Sequence, residues 1–299
     1  MKKIIVGFLM SYDYNKLKHS LPPVYKTADS IYLALDIHQR TWKGNRFEID
    51  ISFFKWLKAF DVENKIIIYR DNFYVSEFDS MKNEIRERFL LSKKMGIGNW
   101  LIQVDADEIF IDFDKYVKTL RKYNSFLENP AKQPVQIAGF LINIYKYLDN
   151  GILFVNEPTK VMLATNYPNY KHGRNTKQRV IYTNNILLHE CLSRTEEDLQ
   201  YKLNNWGHSH QINNEFLYKW KQANEFNYKE FKDLFYLDPT IWKRLGYFPS
   251  KNLDKIKDLV DNDQSLALTK FFLMKKNFGQ WFKFLKVFKK SKIKFESYF

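Results

Sequence analysis

The sequence predicts an α/β fold, a mixed sheet flanked by helices with a helical C-terminal extension. Three observations predict it. Short β-branched runs alternate with helix-period segments through the first half, each run is too short for a helix and is followed by polar residues, and helical patterns prevail from about Thr195 onward.

The elements follow in order. Ile4 to Met10 reads as a first strand, Ile31 to Leu35 as a second, Lys65 to Tyr69 as a third and Trp100 to Val104 as a fourth. Asp36, Arg70 and Asp105 then fall just past strand ends, where open α/β sheets bind their ligands. Between the third and fourth strands, Phe78, Met81, Ile85 and Phe89 recur at steps of three and four, which predicts a helix with one apolar stripe, ended by Gly96 and Gly98. After Asp107, Tyr116 to Leu127 reads as helix. Gln136 to Tyr147 and Lys160 to Ala164 read as longer strands, with Leu148-Asp149-Asn150-Gly151 as a turn. No linker marks a sharp boundary, and a soft one is placed near residue 212, giving a domain over 1–212 and an extension over 213–299.

A chain of 299 residues with 45% hydrophobic and 17% aromatic content can bury a substantial core, which argues against disorder. The single cysteine, Cys191, excludes an internal disulfide framework and a multi-cysteine zinc site, so oxygen or histidine ligands must carry any metal. No apolar run is long enough to cross a bilayer, and Ile4 to Met10 is too short for a secretory signal, so a cytoplasmic protein is expected. The net charge of +14 attracts polyanions without choosing among them, and a Lys-, Asn- and Phe-rich composition also follows from an AT-rich genome. Charge peaks in the C-terminal tail, where lysines such as Lys275, Lys276 and Lys283 alternate with Phe271, Phe278 and Trp281.

The strongest chemical signal is Trp100-Leu101-Ile102-Gln103-Val104-Asp105-Ala106-Asp107-Glu108, in which an apolar strand delivers two carboxylates into the loop at its end. A hard divalent cation takes such oxygen ligands and keeps open positions for substrate phosphate oxygens. Two Asp separated by one residue also occur in ordinary surface turns; the buried strand and the upstream βα units favour the functional reading.

On these residues the sequence resembles the GT-A glycosyltransferases, especially the bacterial family-2-like group, over roughly residues 1 to 210. The polar turn Ser11-Tyr12-Asp13-Tyr14-Asn15 after the first strand, Asp36 after the second, Arg88 in the helix before the D-x-D strand, and Asp105-Ala106-Asp107 carry the resemblance. It implies a nucleotide-diphosphate sugar as donor, a UDP-sugar first, with Mn²⁺ or Mg²⁺ as cofactor. It further implies Asp36 at the base or ribose, Asp105 near the ribose and in the metal set, and Asp107 on the metal. Surface polysaccharide synthesis, with a glycan or lipid-linked acceptor, is the expectation that follows. Asp36 is followed by Ile37-His38-Gln39-Arg40-Thr41-Trp42 where the family carries an acidic, Gly/Ser-rich turn, so the base is left open.

Further candidates lie downstream. His189 follows an apolar run and is the first choice to complete the metal shell, with His208 second, while His208 and His210 could instead contact the acceptor or diphosphate; a lone histidine is otherwise an ordinary hydrogen-bonded residue. Arg194 is a candidate for the diphosphate, or else pairs with Glu197 or Asp198. Glu157 and Glu190 are candidate catalytic bases, each also readable as a plain acid. Lys171 to Arg179 is a basic, glycine-containing loop expected either as a lid over the diphosphate or as an exposed connector. The tail from Leu266 to Phe288 has the mixture of a helix that rests on an anionic membrane, which would make the protein peripheral at the inner face; packing on the catalytic domain is the alternative.

Two other classes compete. A nucleotidyltransferase or metal-dependent phosphohydrolase also uses paired carboxylates, but no glycine-rich phosphate loop is evident. A non-enzymatic nucleic-acid binder would account for the charge and leave the buried strand ending in acids unexplained, so no nucleic acid is expected as partner.

Overall fold

The computed structural model describes residues 2–190, 192–205, 214–234, 241–263, 266 and 268–284. Cys191, His208, His210, the expected boundary near residue 212 and the tail beyond 284 lie outside them. The described residues form an α/β fold around a mixed ten-stranded sheet.

Four parallel strands make its first half. β1 (Ile4–Leu9), β2 (Ser30–Asp36), β3 (Ile66–Asp71) and β4 (Trp100–Asp105) lie side by side in the order β3-β2-β1-β4. β1 is buried along its whole length, as a central strand covered on both faces must be, which is why it reads Ile-Ile-Val-Gly-Phe-Leu without alternation. The order reverses direction at β1, so the loops after β1 and β4 diverge and leave a crevice at their carboxyl ends. Asp36 and Asp105 are the last residues of β2 and β4, whereas Arg70 lies within β3.

Helices cover both faces. α1 (Leu17–Ser20), α2 (Pro22–Tyr25), α3 (Ile51–Phe60) and, later, α5 (Phe113–Arg121) pack Leu17, Phe53, Leu57 and Tyr116 against Val6, Phe8, Ile31 and Ile102. On the other face α4 (Ser80–Met95) sets Leu91 and Met95 over Ile5, Leu9 and Leu101. α4 comes so close that a Cβ at Gly7 would stand 2.8 Å from Met95 Sδ, which accounts for a glycine inside a central strand. The Asp79 side chain caps α4 by accepting from Lys82 N–H, and Gly96, at φ +93°, ends it. The expected apolar stripe is only half-buried here. The fully buried face carries Asn83, Glu87, Arg88 and Ser92 alongside Leu91 and Met95, because its N-terminal part walls a polar cleft.

The second half is antiparallel except for one pair. β5 (Glu108–Phe110) pairs with β9 (Arg179–His189), and β9 lies parallel to β6 (Val135–Leu148). β8 (Thr159–Thr165) joins β6 to β4, while β7 (Gly151–Val155) lies outside β6. The extension is not purely helical: β10 (Leu245–Phe248) pairs with β7 and ends the sheet. α6 (Glu196–Asn205), α7 (Asn214–Gln222) and α8 (Leu253–Asn262) surround that end; Phe216 and Trp220 pack on Tyr145 and Leu153, and Ile256 and Val260 on Ile152 and Phe154. α9 (Lys270–Phe284) covers β9, where Asn277 bonds both the N–H and the carbonyl of Tyr182 at 2.8 and 2.9 Å. Such cover blunts an edge that would otherwise recruit another strand. Among the described residues, no helix is long and apolar enough to cross a membrane.

Candidate functional site

A cleft of about 510 Å³ opens at the carboxyl ends of β1, β2 and β4. Its floor is the turn Asp105-Ala106-Asp107, and its walls come from the loops after β1 and β2, the start of α4 and the 172–175 loop.

Asp105 is held by two guanidinium groups. Arg88 Nη2 donates to Oδ1 at 2.8 Å and Arg174 Nη2 stands 3.7 Å from Oδ2. Enclosure works to raise the Asp105 carboxyl, and the two arginines outweigh it, holding the group below the usual aspartate range. Arg88 also donates to Glu84, and Arg174 grips Glu108 through a two-pronged contact at 2.7 and 2.5 Å. Arg174 further donates to the Gln103 carbonyl at 3.0 Å. Arg174 thus anchors the basic loop to the wall of the cleft.

Asp107 faces a different set. Its Oδ1 stands 3.6 Å from His189 Nε2, and its Oδ2 accepts from Arg194 at 3.2 Å. Sheet register makes the histidine contact: Glu108 pairs with His189 across β5 and β9, and Asn143 pairs with His189 across β6 and β9. Asn143 Nδ2 donates to Thr159, which leaves its Oδ1 to accept from His189 Nδ1 at 2.8 Å. With Nδ1 donating to Asn143, Nε2 is the nitrogen turned toward Asp107, where it could pair with the carboxylate or, in the neutral ring, ligate a metal. One ion at roughly 2.1 Å from each atom spans a 3.6 Å gap. Among the described residues, no group of three or more His, Cys, Asp or Glu side chains converges. Asp107 and His189 are the two groups there that could hold an ion between them, and one of the Mn²⁺ kind would accept a carboxylate and an imidazole while leaving positions for water and phosphate oxygens. Asp105, held by its arginines, does not join that pair.

The remaining predicted residues divide. Asp36 lines the cleft, but both its oxygens are occupied: Oδ1 by His38 N–H, Arg40 N–H and Arg40 Nε, and Oδ2 by Arg40 Nη2, Phe73 N–H and Tyr74 N–H. Burial works to raise it, and Arg40 with the backbone donors brings it below its ordinary value. What this corner offers a ligand is the positioned loop from Arg40 to Lys43. Arg194 does not line the cleft; it joins Asp107 to Asp13, at 3.2 and 3.1 Å.

Neither candidate base faces the cleft. Glu157 accepts from Lys243 N–H at 2.7 Å and braces the approach to β10. Glu190 is fully buried beside Asp107, to whose carbonyl it donates its own N–H at 2.8 Å. Its carboxylate is met by Lys16 Nζ at 3.3 Å, His19 Nδ1 at 3.1 Å and the Tyr147 hydroxyl. Burial works to raise Glu190, and these donors more than reverse it. A carboxylate so enclosed holds the turn; it does not meet an acceptor hydroxyl.

Four residues of the site were not singled out from the sequence as ligands: Arg174, Asn143, Trp42 and Glu87. Asn143 lies inside a long strand with no motif around it. Glu87 neighbours Arg88, but the apolar stripe of α4 directs attention to the other face. No protein-family model matches the chain, and no curated protein matches it.

Proposed function

We propose that this chain is a GT-A-type glycosyltransferase that moves a sugar from a nucleotide-diphosphate donor, a UDP-sugar first, to a glycan or lipid-linked acceptor with the aid of Mn²⁺ or Mg²⁺. The observation that carries the reading is the Asp107–His189 pair at the floor of a cleft sited at the switch point of the parallel half of the sheet. A divalent ion bound there would neutralise charge growing on a leaving diphosphate. The protein's own groups do the rest. Asn143 orients His189, Arg194 fixes Asp107 from behind the cleft, and Arg88 and Arg174 hold Asp105 ionised and in place for a donor hydroxyl.

The acceptor end of the reading draws on α9. Phe271, Met274 and Phe278 are 71%, 61% and 58% exposed and follow one another at helical spacing, with Lys270, Lys275 and Lys276 among them. That combination suits contact with an anionic membrane carrying lipid-linked acceptors.

Incubating the protein with Mn²⁺, a panel of sugar nucleotides and candidate acceptors tests the proposal. Release of nucleoside diphosphate with a sugar-modified product is expected. Release of pyrophosphate or of free phosphate instead would assign the site to nucleotidyl transfer or phosphate hydrolysis.

A further inference from the structure

Glu87 is a buried acid in the cleft wall with an incomplete set of partners. It is 6% exposed and lines the cleft from α4. Trp42 Nε1 donates to its Oε2 at 2.6 Å, while among the described residues no hydrogen bond reaches Oε1 and no salt bridge reaches the carboxyl. The Thr41 hydroxyl, one residue before Trp42, is buried with no hydrogen bond among them. A buried hydroxyl left this way, beside an acid whose second oxygen opens onto the cleft, calls for an explanation, and a ligand supplies one.

The charged groups nearby do not pair with Glu87. Glu84 and Arg88 on its own helix are joined to each other, Arg88 is also bonded to Asp105, and Asp36 at the end of β2 is bonded to Arg40. Lys43 lies in the loop that carries Trp42. Burial is the main cause, opposed by the Trp42 hydrogen bond and Arg88, and the carboxyl is pushed up to about 8. Near neutral pH it is a neutral acid. With Oε2 taken by the indole, Oε1 is the oxygen from which an acid hydrogen can be donated into the cleft.

Resting on the glycosyl-transfer reading, we propose that Glu87 and Trp42 form the nucleobase end of the cleft, with Glu87 Oε1 donating to a ring carbonyl and the Trp42 indole walling the base. A diphosphate is drawn to the end that holds Asp107, His189 and the ion they fit, whereas an uncharged aromatic base belongs where an aromatic wall meets a neutral donor. The ligand class is a nucleotide with a carbonyl-bearing base such as uracil; adenine, with no carbonyl, loses this bond.

Calorimetric titration of UDP and ADP with Mg²⁺ at pH 6.5 and 8.8, on the wild type and on Glu87→Gln, tests the idea. The glutamine accepts from Trp42 and donates from Nε2, so it keeps the polarity of the neutral acid at every pH. Wild-type affinity for UDP should fall roughly tenfold over that range, the loss of one buried hydrogen bond, while Glu87→Gln stays level. ADP should bind roughly tenfold more weakly than UDP at pH 6.5. Trp42→Ala, a second variant, should weaken UDP and leave inorganic pyrophosphate with Mg²⁺ unchanged. If UDP binds and the two pH profiles run parallel, or if Trp42→Ala weakens pyrophosphate as much as UDP, this inference is wrong and the transferase reading stands. If neither nucleotide binds at either pH, both are wrong.

Discussion

Glu87 and Glu190 are both buried acids in the structure around one cleft, and their surroundings send them in opposite directions. Glu190 meets Lys16, His19 and Tyr147, and is held below its ordinary value despite full burial. Glu87 meets one indole N–H and is pushed up to about 8. Burial is common to both, so the partner set decides whether a carboxyl stays charged or becomes a neutral donor. The two regions also differ in address. One knot locks the turn that carries Asp107, and the other borders open space.

The comparison can be broken first at Glu190. Replacing Lys16 with Met removes a cation from a buried carboxylate and should cost roughly 3 kcal/mol by chemical denaturation. The sign with pH follows from the lowered value. Glu190 stabilises the fold above its unfolded pKa, and that contribution is lost as pH falls through the folded one. The deficit of Lys16→Met should therefore be largest at neutral pH and shrink in acid. Equal deficits at pH 7 and pH 3.5 would contradict the account.

Glu87 has the opposite sign. Its raised value favours the protonated folded state, so its contribution is full below the unfolded pKa and is lost as pH rises toward about 8. Glu87→Gln should lack that slope and unfold at higher denaturant than the wild type at pH 8, by roughly 2 kcal/mol once local relaxation is allowed for. A wild type and variant with parallel stability curves from pH 5 to 8 would show that the acid is charged in place.

A smaller effect is expected at Asn143, where a partner sets the tautomer of His189. Asn143→Ala should lower Mn²⁺ affinity about tenfold with little change in melting temperature. Unchanged affinity would mean that the histidine needs no such orientation. The smallest structural effect belongs to α9: Phe271→Ser with Met274→Ser should alter stability by less than about 0.5 kcal/mol and weaken flotation with phosphatidylglycerol vesicles. Flotation equal to the wild type would remove α9 from the membrane reading.

The parallel half was legible because each of its strands is a compact apolar run closed by a polar residue, and β2 and β4 end at the two residues, Asp36 and Asp105, expected to follow them. β10 escaped because its four residues, Leu245 to Phe248, carry no alternation and acquire a partner only when β7 lies beside them. The site divides in the same way. Asp107 and His189 could be named from a strand end and an apolar run, but their 3.6 Å approach depends on the register of β5 with β9. Glu87 was hidden by α4 itself, whose hydrophobic period marks Met81, Ile85 and Phe89 while burial selects the polar residues on another face. Periodicity reports which face of a helix is oily, and a helix that walls a polar cleft breaks that link.

The central claim is that Asp107 and His189 grip a divalent ion which bridges to a nucleoside diphosphate. It is met most directly by melting the wild type and Asp107→Ala with UDP and Mn²⁺, each alone and together. The account predicts a rise in the wild type that needs both ligands and is absent in the variant. A wild type that UDP and Mn²⁺ leave unmoved, or a variant that gains as much as the wild type, would contradict it.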